Sequence, residues 1–333
     1  MDHIAAVKEL ISGGLNAKGS KSSGGLTLVP LFGGVLAKDY MVGADAIAEG
    51  LLSITEVDEH GDVTHLEAYN IANSPVLLID GEHLEGAKQN RILNATVLLA
   101  ASRKTILPVA CVEEGRWHYE AGSDFNAGDD FAYGRLRSRN ASVKAENLRM
   151  SGSRDVDQGE VWADISRKHN EAGSISPTGA MRDAYEHHRT DLDDMKVAFS
   201  EPEPGQTGVI ACVAGRPVAL DAFDRPETLT KLWPRLLSGY ALDAVGHEKV
   251  ALAPNAVDSF LEAAGNATTT SHEGLGLGMD VLITGESVVG NALTWGEGVI
   301  HLALFARAVD GPDASRRASR IEAPSHRRHN FRH

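Results

Sequence analysis

The densest run of side chains able to do chemistry is Gly81-Glu82-His83-Leu84-Glu85-Gly86-Ala87-Lys88-Gln89-Asn90-Arg91, set between two apolar runs. A plain hairpin tip takes about two to five residues, and long connections in compact domains carry function more often than short ones. Lys88 and Arg91 have the charge to hold a phosphate or carboxylate, Arg91 bidentately. Gln89 and Asn90 each donate and accept, as reading a base edge, a ribose or an amide requires. A second dense run follows a strand: Cys111-Val112-Glu113-Glu114-Gly115-Arg116-Trp117. Here Glu113 is the candidate catalytic acid/base. Arg116 adds a third cation, Trp117 a ring able to stack on a planar ligand, and Asn94 a further hydrogen-bonding group. The competing arrangement is structural: a buried Arg–Glu network ties the two connections together, with Trp117 in the core. Cys111 has apolar flanks and reads as an inert core thiol rather than a nucleophile.

Elsewhere the chemistry is thin. There is no Walker loop, H-E-x-x-H, G-x-S-x-G or paired C-x-x-C. Gly274-Leu275-Gly276-Leu277-Gly278 has the wrong spacing and context for a dinucleotide loop and reads as a flexible turn. His187 and His188 are adjacent on a helix, pointing about 100° apart, and cannot chelate one metal from one face. A metal-dependent hydrolase built on Asp155, Asp157, Asp191 or Asp194 is an alternative function, but no spacing assigns a metal ligand set. The sequence names no cofactor.

The elements that must position these residues follow from periodicity. Residues 2–12 read as a short helix, and Gly13–Gly25 as a flexible connector. Leu26–Phe32, Leu52–Val57, Val63–Tyr69, Pro75–Ile79, Ile92–Ala101 and Thr105–Val112 read as strands, with a short helix over 44–52. Beyond Asp130 the pattern turns helical. Asp155 with Gln158 resembles a capping box, as does Asp224 with Glu227. Ser176-Pro177 opens a helix to about Met195. A kinked helix carries Pro234, Asn255 caps another, and Gln206–Val213 with Arg216–Ala222 makes a hairpin. Val281–Thr284, Val288–Ala292 and Val299–Phe305 close the chain as strands. The fold class is α+β: a β-rich N-terminal sheet, sandwich- or barrel-like, a helical middle, and C-terminal strands returning to the sheet. The divisions are 1–25 (helix and linker), 26–130 (β-rich, with polar loops), 131–308 (helical and mixed, one composite domain with 26–130) and 309–333 (a disordered basic tail).

The chain has 333 residues, 42% hydrophobic and 5% aromatic, with 32 Lys and Arg against 46 Asp and Glu, net −14. Six arginines against three carboxylates make residues 310–333 +3, so residues 1–309 carry −17. That balance argues against a nucleic-acid partner, which needs a basic field. There is no apolar run of membrane-spanning length and no signal-peptide pattern. Cys111 and Cys212 sit in apolar runs and read as buried and reduced. Together these predict a cytoplasmic protein with no membrane partner.

Gly86-Ala87-Lys88-Gln89-Asn90-Arg91, Asn94 and Pro108 through Trp117 resemble a bacterial family, the ARG-and-rhodanese-phosphatase-superfamily-associated protein domain. The resemblance continues through Asp157–Trp162, Gly205–Phe223 and His301–Phe305, from about residue 25 to 307. It implies an association with ADP-ribosylglycohydrolases and rhodanese- or phosphatase-type proteins, hence a place in NAD or ADP-ribose metabolism or a defence-like operon. It carries over no catalytic residue. The expected function is binding of a small phosphorylated or nucleotide ligand, ADP-ribose-like, at Lys88, Gln89, Asn90, Arg91, Asn94, Arg116 and Trp117. The alternative is a non-enzymatic scaffold that forms a homo-oligomer.

Overall fold

The computed structural model describes residues 2–34, 36, 39–57, 62–116 and 124–307; Trp117 and the basic tail lie outside them. A nine-stranded sheet is built as β1 (Leu15–Ala17), β3 (Leu26–Gly33), β13 (Gly208–Val213), β14 (Arg216–Phe223), β18 (Gly298–Ala306), β17 (Val288–Trp295), β16 (Met279–Thr284) and β15 (Thr268–Glu273), with β2 (Lys21–Ser23) also on β3. Every pairing in it is antiparallel, and β18 lies against β14, so the C-terminal strands join the sheet that β3 begins. A second sheet has six strands: β12 (Phe125–Phe131), β8 (Glu82–Gly86), β9 (Arg91–Leu93), β11 (Arg103–Cys111), β6 (His65–Asn70) and β5 (Leu52–Glu56). It curls into a half-barrel whose edges meet at a Thr55–Asp124 bridge. A small third sheet joins β10 (Val97–Leu99), β7 (Val76–Leu78) and β4 (Met41–Val42).

Alternation along the central strands explains the layering. Val209, Ala211 and Val213 of β13 face one core and Ile210 and Cys212 the other, as the twofold period of a strand requires. Helices α3 (Gly134–Ser151), α4 (Gln158–Ala172), α5 (Met181–His187), α6 (Arg189–Ala198) and α7 (Pro226–Ala244) feed the first core. On the opposite face α1 (His3–Glu9) and α8 (Ala256–Gly265) supply Val7, Phe260 and Ala264. Ile54, Leu66, Leu84, Leu93, Leu107 and Phe125 fill the half-barrel. Helix α2 (Gly43–Ala48) adds Ala46 there.

Several elements differ from expectation for identifiable reasons. The Gly13–Gly25 stretch holds β1 and β2, because Gly19 and Gly24 take positive φ and supply the reversals. Its start continues α1 as a π-helical turn, Leu10–Gly14. The polar run after Gly81 is largely strand: β8 pairs with both β9 and β12, and its charged residues are partly or wholly buried between layers. Ile92–Ala101 is two strands in two sheets, separated at Asn94–Thr96. The helix after Ser176 is broken at His188. Helix α7 runs unbroken through Pro234. The cap of α4 is Asp157, whose carboxylate accepts from Glu160 N at 3.0 Å, rather than Asp155. The Asp224 carboxylate takes the Tyr40 hydroxyl instead of capping α7.

The loop at Gly274–Gly278 fastens the third sheet to the first: Leu277 N donates to Leu98 O at 2.7 Å. A Cβ on Gly276 would stand 2.1 Å from that carbonyl oxygen. Gly276→Ala is therefore expected to lower stability by about 1–3 kcal/mol through overpacking, read as a fall in melting temperature; an unchanged melt would show that the loop is free to move aside.

Candidate functional site

The antiparallel pairing of β9 with β11 puts Cys111 opposite Arg91, so the 87–90 turn and the segment after β11 are neighbours. Lys88, Gln89, Asn90, Arg91, Glu113 and Arg116 are thereby brought together, and all are buried. Arg116 is only 2% exposed. Its Nε donates to Glu113 Oε2 at 2.7 Å, Nη1 to Ala87 O at 3.1 Å and Nη2 to Asn90 Oδ1 at 2.9 Å. Gln89 donates to Glu113 O at 2.9 Å and accepts from Arg91 Nη1 at 3.1 Å. Arg91 Nη2 also lies 3.9 Å from Glu56 Oε1, whose carboxyl burial pushes up. The second Glu113 oxygen accepts from the Thr178 hydroxyl at 3.3 Å. The charges of Arg91, Glu113 and Arg116 thus face protein groups.

Gln158, which the sequence offers either as a cap or as a residue reaching the Cys111 region from the helical part, takes the second role. Its amide oxygen accepts from Cys111 N and its NH2 donates to Cys111 O, both at 2.8 Å. The side chain thus acts as an extra strand at the end of β11 and ties α4 to the turn cluster. Cys111 and Cys212 are both buried and free. Burial pushes the Cys212 thiol up to about 12 and moves Cys111 the same way, which makes each a poor nucleophile.

Asn94 is not part of this cluster. It faces a small internal cavity with Asp80, Arg137, Asn140 and Lys144. There Arg137 donates to both oxygens of Asp221, at 2.7 and 2.8 Å, and Nε reaches Asp80 Oδ2 at 3.4 Å. His301 bridges Asp221 Oδ1 (2.9 Å) and the Thr96 hydroxyl (3.0 Å), and that hydroxyl donates to Asp80 Oδ1. Lys144 Nζ donates to Asn291 Oδ1 at 3.0 Å, and burial pushes its ammonium down. This network joins α3 to the nine-stranded sheet.

The acidic residues read as alternative metal ligands are dispersed. Asp155 lies against His65, Asp157 caps α4, and Asp191 sits in the first turn of α6 beside His188. Negative charge at helix starts serves the helix dipole, and among the described residues these aspartates form no common ligand group.

An open cleft of about 630 Å³ lies between α3, α4 and the Glu286–Ser287 turn. Arg135 and Arg139 are four residues apart on α3 and share a face, while Arg137 points inward between them. Arg167 of α4 and Arg307 after β18 complete the basic lining, with the hydroxyls of Ser138, Ser142 and Ser287. A single carboxylate serves three of the guanidinium groups. Asp164, 2% exposed, accepts from Arg167 at 3.0 Å, lies 3.4 Å from Arg135 Nε and 3.5 Å from Arg139 Nη1, and takes the Tyr133 hydroxyl at 2.8 Å. Besides Asp164, Arg135 pairs with Glu171 at 2.7 Å and Arg139 with Glu160, both just outside the lining, so Arg167 and Arg307 are the cleft arginines with the fewest carboxylate partners among the described residues. Arg135-Leu136-Arg137-Ser138-Arg139 was the legible signal, an alternation that on a helix sends the first and third arginine one way.

Fold and cleft define the class: an α+β protein whose central sheet, half-barrel and helical face leave one arginine-lined opening among the cavities described above. The chain belongs to the ARG and Rhodanese-Phosphatase-superfamily-associated Protein domain family, which spans residues 14–305 and so includes β1 and β2. No curated protein and no solved structure matches the chain. No helix among the described residues is long and apolar enough to cross a membrane.

Proposed function

We propose that the protein binds a small phosphorylated or nucleotide ligand, ADP-ribose-like, in the cleft between α3 and α4. The observation that carries this is the gathering of four arginines and three serine hydroxyls around an opening of about 630 Å³ on a chain of net charge −14. The volume lies in the range of small-molecule sites, and clustered guanidinium groups suit phosphate oxygens in bidentate geometry. The buried turn cluster supports a different role for Lys88, Gln89, Asn90, Arg91, Glu113 and Arg116: an internal clamp that holds α4 and the half-barrel in register. The reading concerns binding and assigns no reaction.

The test is a thermal-shift titration with ADP-ribose, NAD and inorganic phosphate. At a hundredfold excess over Kd a ligand that binds only the folded state adds about 2.7 kcal/mol of stability. Arg167 is half exposed and Arg307 partly so, so Arg167→Ala and Arg307→Ala are expected to leave the unliganded melt within about 0.5 kcal/mol while abolishing most of the ligand-induced shift. No shift with any of the three at millimolar concentration, or a shift untouched by both substitutions, would remove the cleft from consideration.

A further inference from the structure

A separate polar cluster lies on the half-barrel between β8 and β12. His83 and Glu85 are two residues apart on β8 and therefore project to one face. Asp130 comes from β12, where the register with β8 shifts between Ala127 and Phe131. Such a bulge re-aims the side chains it carries. Gly128 stands inside it, and a Cβ there would lie 2.9 Å from His83 Nδ1 and 3.1 Å from Glu85 Oε1. The missing side chain is what lets the imidazole and the carboxylate occupy that space.

His83 is fully buried, and neither ring nitrogen has a hydrogen-bond partner. Its Nδ1 lies 3.5 Å from Glu85 Oε1. A buried polar group left unmatched costs about 1–3 kcal/mol, so an imidazole with two orphaned nitrogens calls for a ligand. One nitrogen of His83 and one oxygen each of Glu85 and Asp130 lie within 4.8 Å of one another. We infer that His83, Glu85 and Asp130 form a binding site for a divalent first-row transition-metal ion. One imidazole and two carboxylates suit zinc, manganese or cobalt, whereas calcium and magnesium take oxygen-only sets.

Two further features agree. Arg182 Nη1 holds Glu85 Oε2 at 2.8 Å and leaves Oε1 turned to His83, the orienting contact that metal ligands commonly have. The adjoining recess, about 130 Å³, is lined by five carboxylates, among them Asp129, Glu186 and Asp193, against three cations. Its surplus of two negative charges matches a dication. Three protein ligands leave coordination positions for water.

The test is calorimetric titration of the chelator-treated full chain with zinc and cobalt chlorides, with the visible d–d spectrum of cobalt as a second readout. One ion per chain is expected, with weakened affinity, by about tenfold or more, in each of Glu85→Gln and Asp130→Asn. Both lie at the partly exposed edge, so they decide the matter even if His83→Gln fails to fold. Failure of the wild-type chain to bind zinc, cobalt or manganese at millimolar metal would overturn the site. So would binding unchanged in both edge variants, since the ion would then sit elsewhere, for instance on His326, His329 and His333.

Discussion

Arg137→Met is expected to cost about 3–5 kcal/mol of folding stability at pH 7, the range for removing one member of a buried ion pair. Arg137 is 2% exposed and packs its guanidinium over the Phe131 and Phe305 rings, at 5.0 and 4.7 Å from their centroids. Met restores much of that packing but leaves Asp80 and Asp221 facing each other's network without their main counter-charge. In the native chain burial works against both carboxylates, and Arg137 outweighs it, holding both below the usual range. A carboxylate depressed in the folded state contributes stability that is present above its unfolded value, about 3.9, and lost as pH falls through its lower folded value. Removing Arg137 reverses the sign. Burial then favours the protonated forms, and the variant gains stability on acidification from pH 7 toward pH 5, where the wild type is still intact. Urea unfolding at the two pH values reads this directly, and the gap between variant and wild type should narrow at the lower one. A loss below about 1 kcal/mol, or a gap indifferent to pH, would mean that the network is not held by this charge.

Arg116→Met is the second large effect, again about 3 kcal/mol or more. It strips Glu113 Oε2, Ala87 O and Asn90 Oδ1 of a donor in one step, inside a cluster closed to water. The pairing with Glu113 can be isolated in a double-mutant cycle. Arg116→Met with Glu113→Gln should cost less than the sum of the singles, by about 1–3 kcal/mol, because the second change removes the charge that the first has stranded. The same experiment separates the two roles open to this turn. If Arg91→Met and Arg116→Met melt near the wild type while a phosphate-bearing ligand no longer shifts the melt, the turn is a binding site and the clamp is refuted. A collapse of the melt with the ligand response of surviving folded protein intact places ligand binding in the arginine cleft.

Much of the architecture was legible because apolar alternation has few solutions. Runs such as Val209–Val213 and Val299–Phe305 read as strands, and the hairpin through Ala214-Gly215 forms as its turn residues require, both at positive φ. The polar run after Gly81 misled for the converse reason. Glu82, His83 and Arg91 look like loop residues until partners from distant segments cover them, such as Arg235 at 3.0 Å from Glu82. Gln158 likewise resembles a helix cap locally, and only the approach of α4 to β11 turns its amide onto the Cys111 backbone.

By itself, the sequence determined the α+β class, the closing strands and the family, because periodicity and a local motif are properties of neighbouring residues. It also carried the adjacency of the two polar runs. The direction in which their cations point was decided by tertiary structure alone. A charge's partner is set by long-range packing, which buried Arg116 among internal acceptors, sent Asn94 to another network, opened a cleft at Arg135, Arg139, Arg167 and Arg307, and left His83 facing two carboxylates.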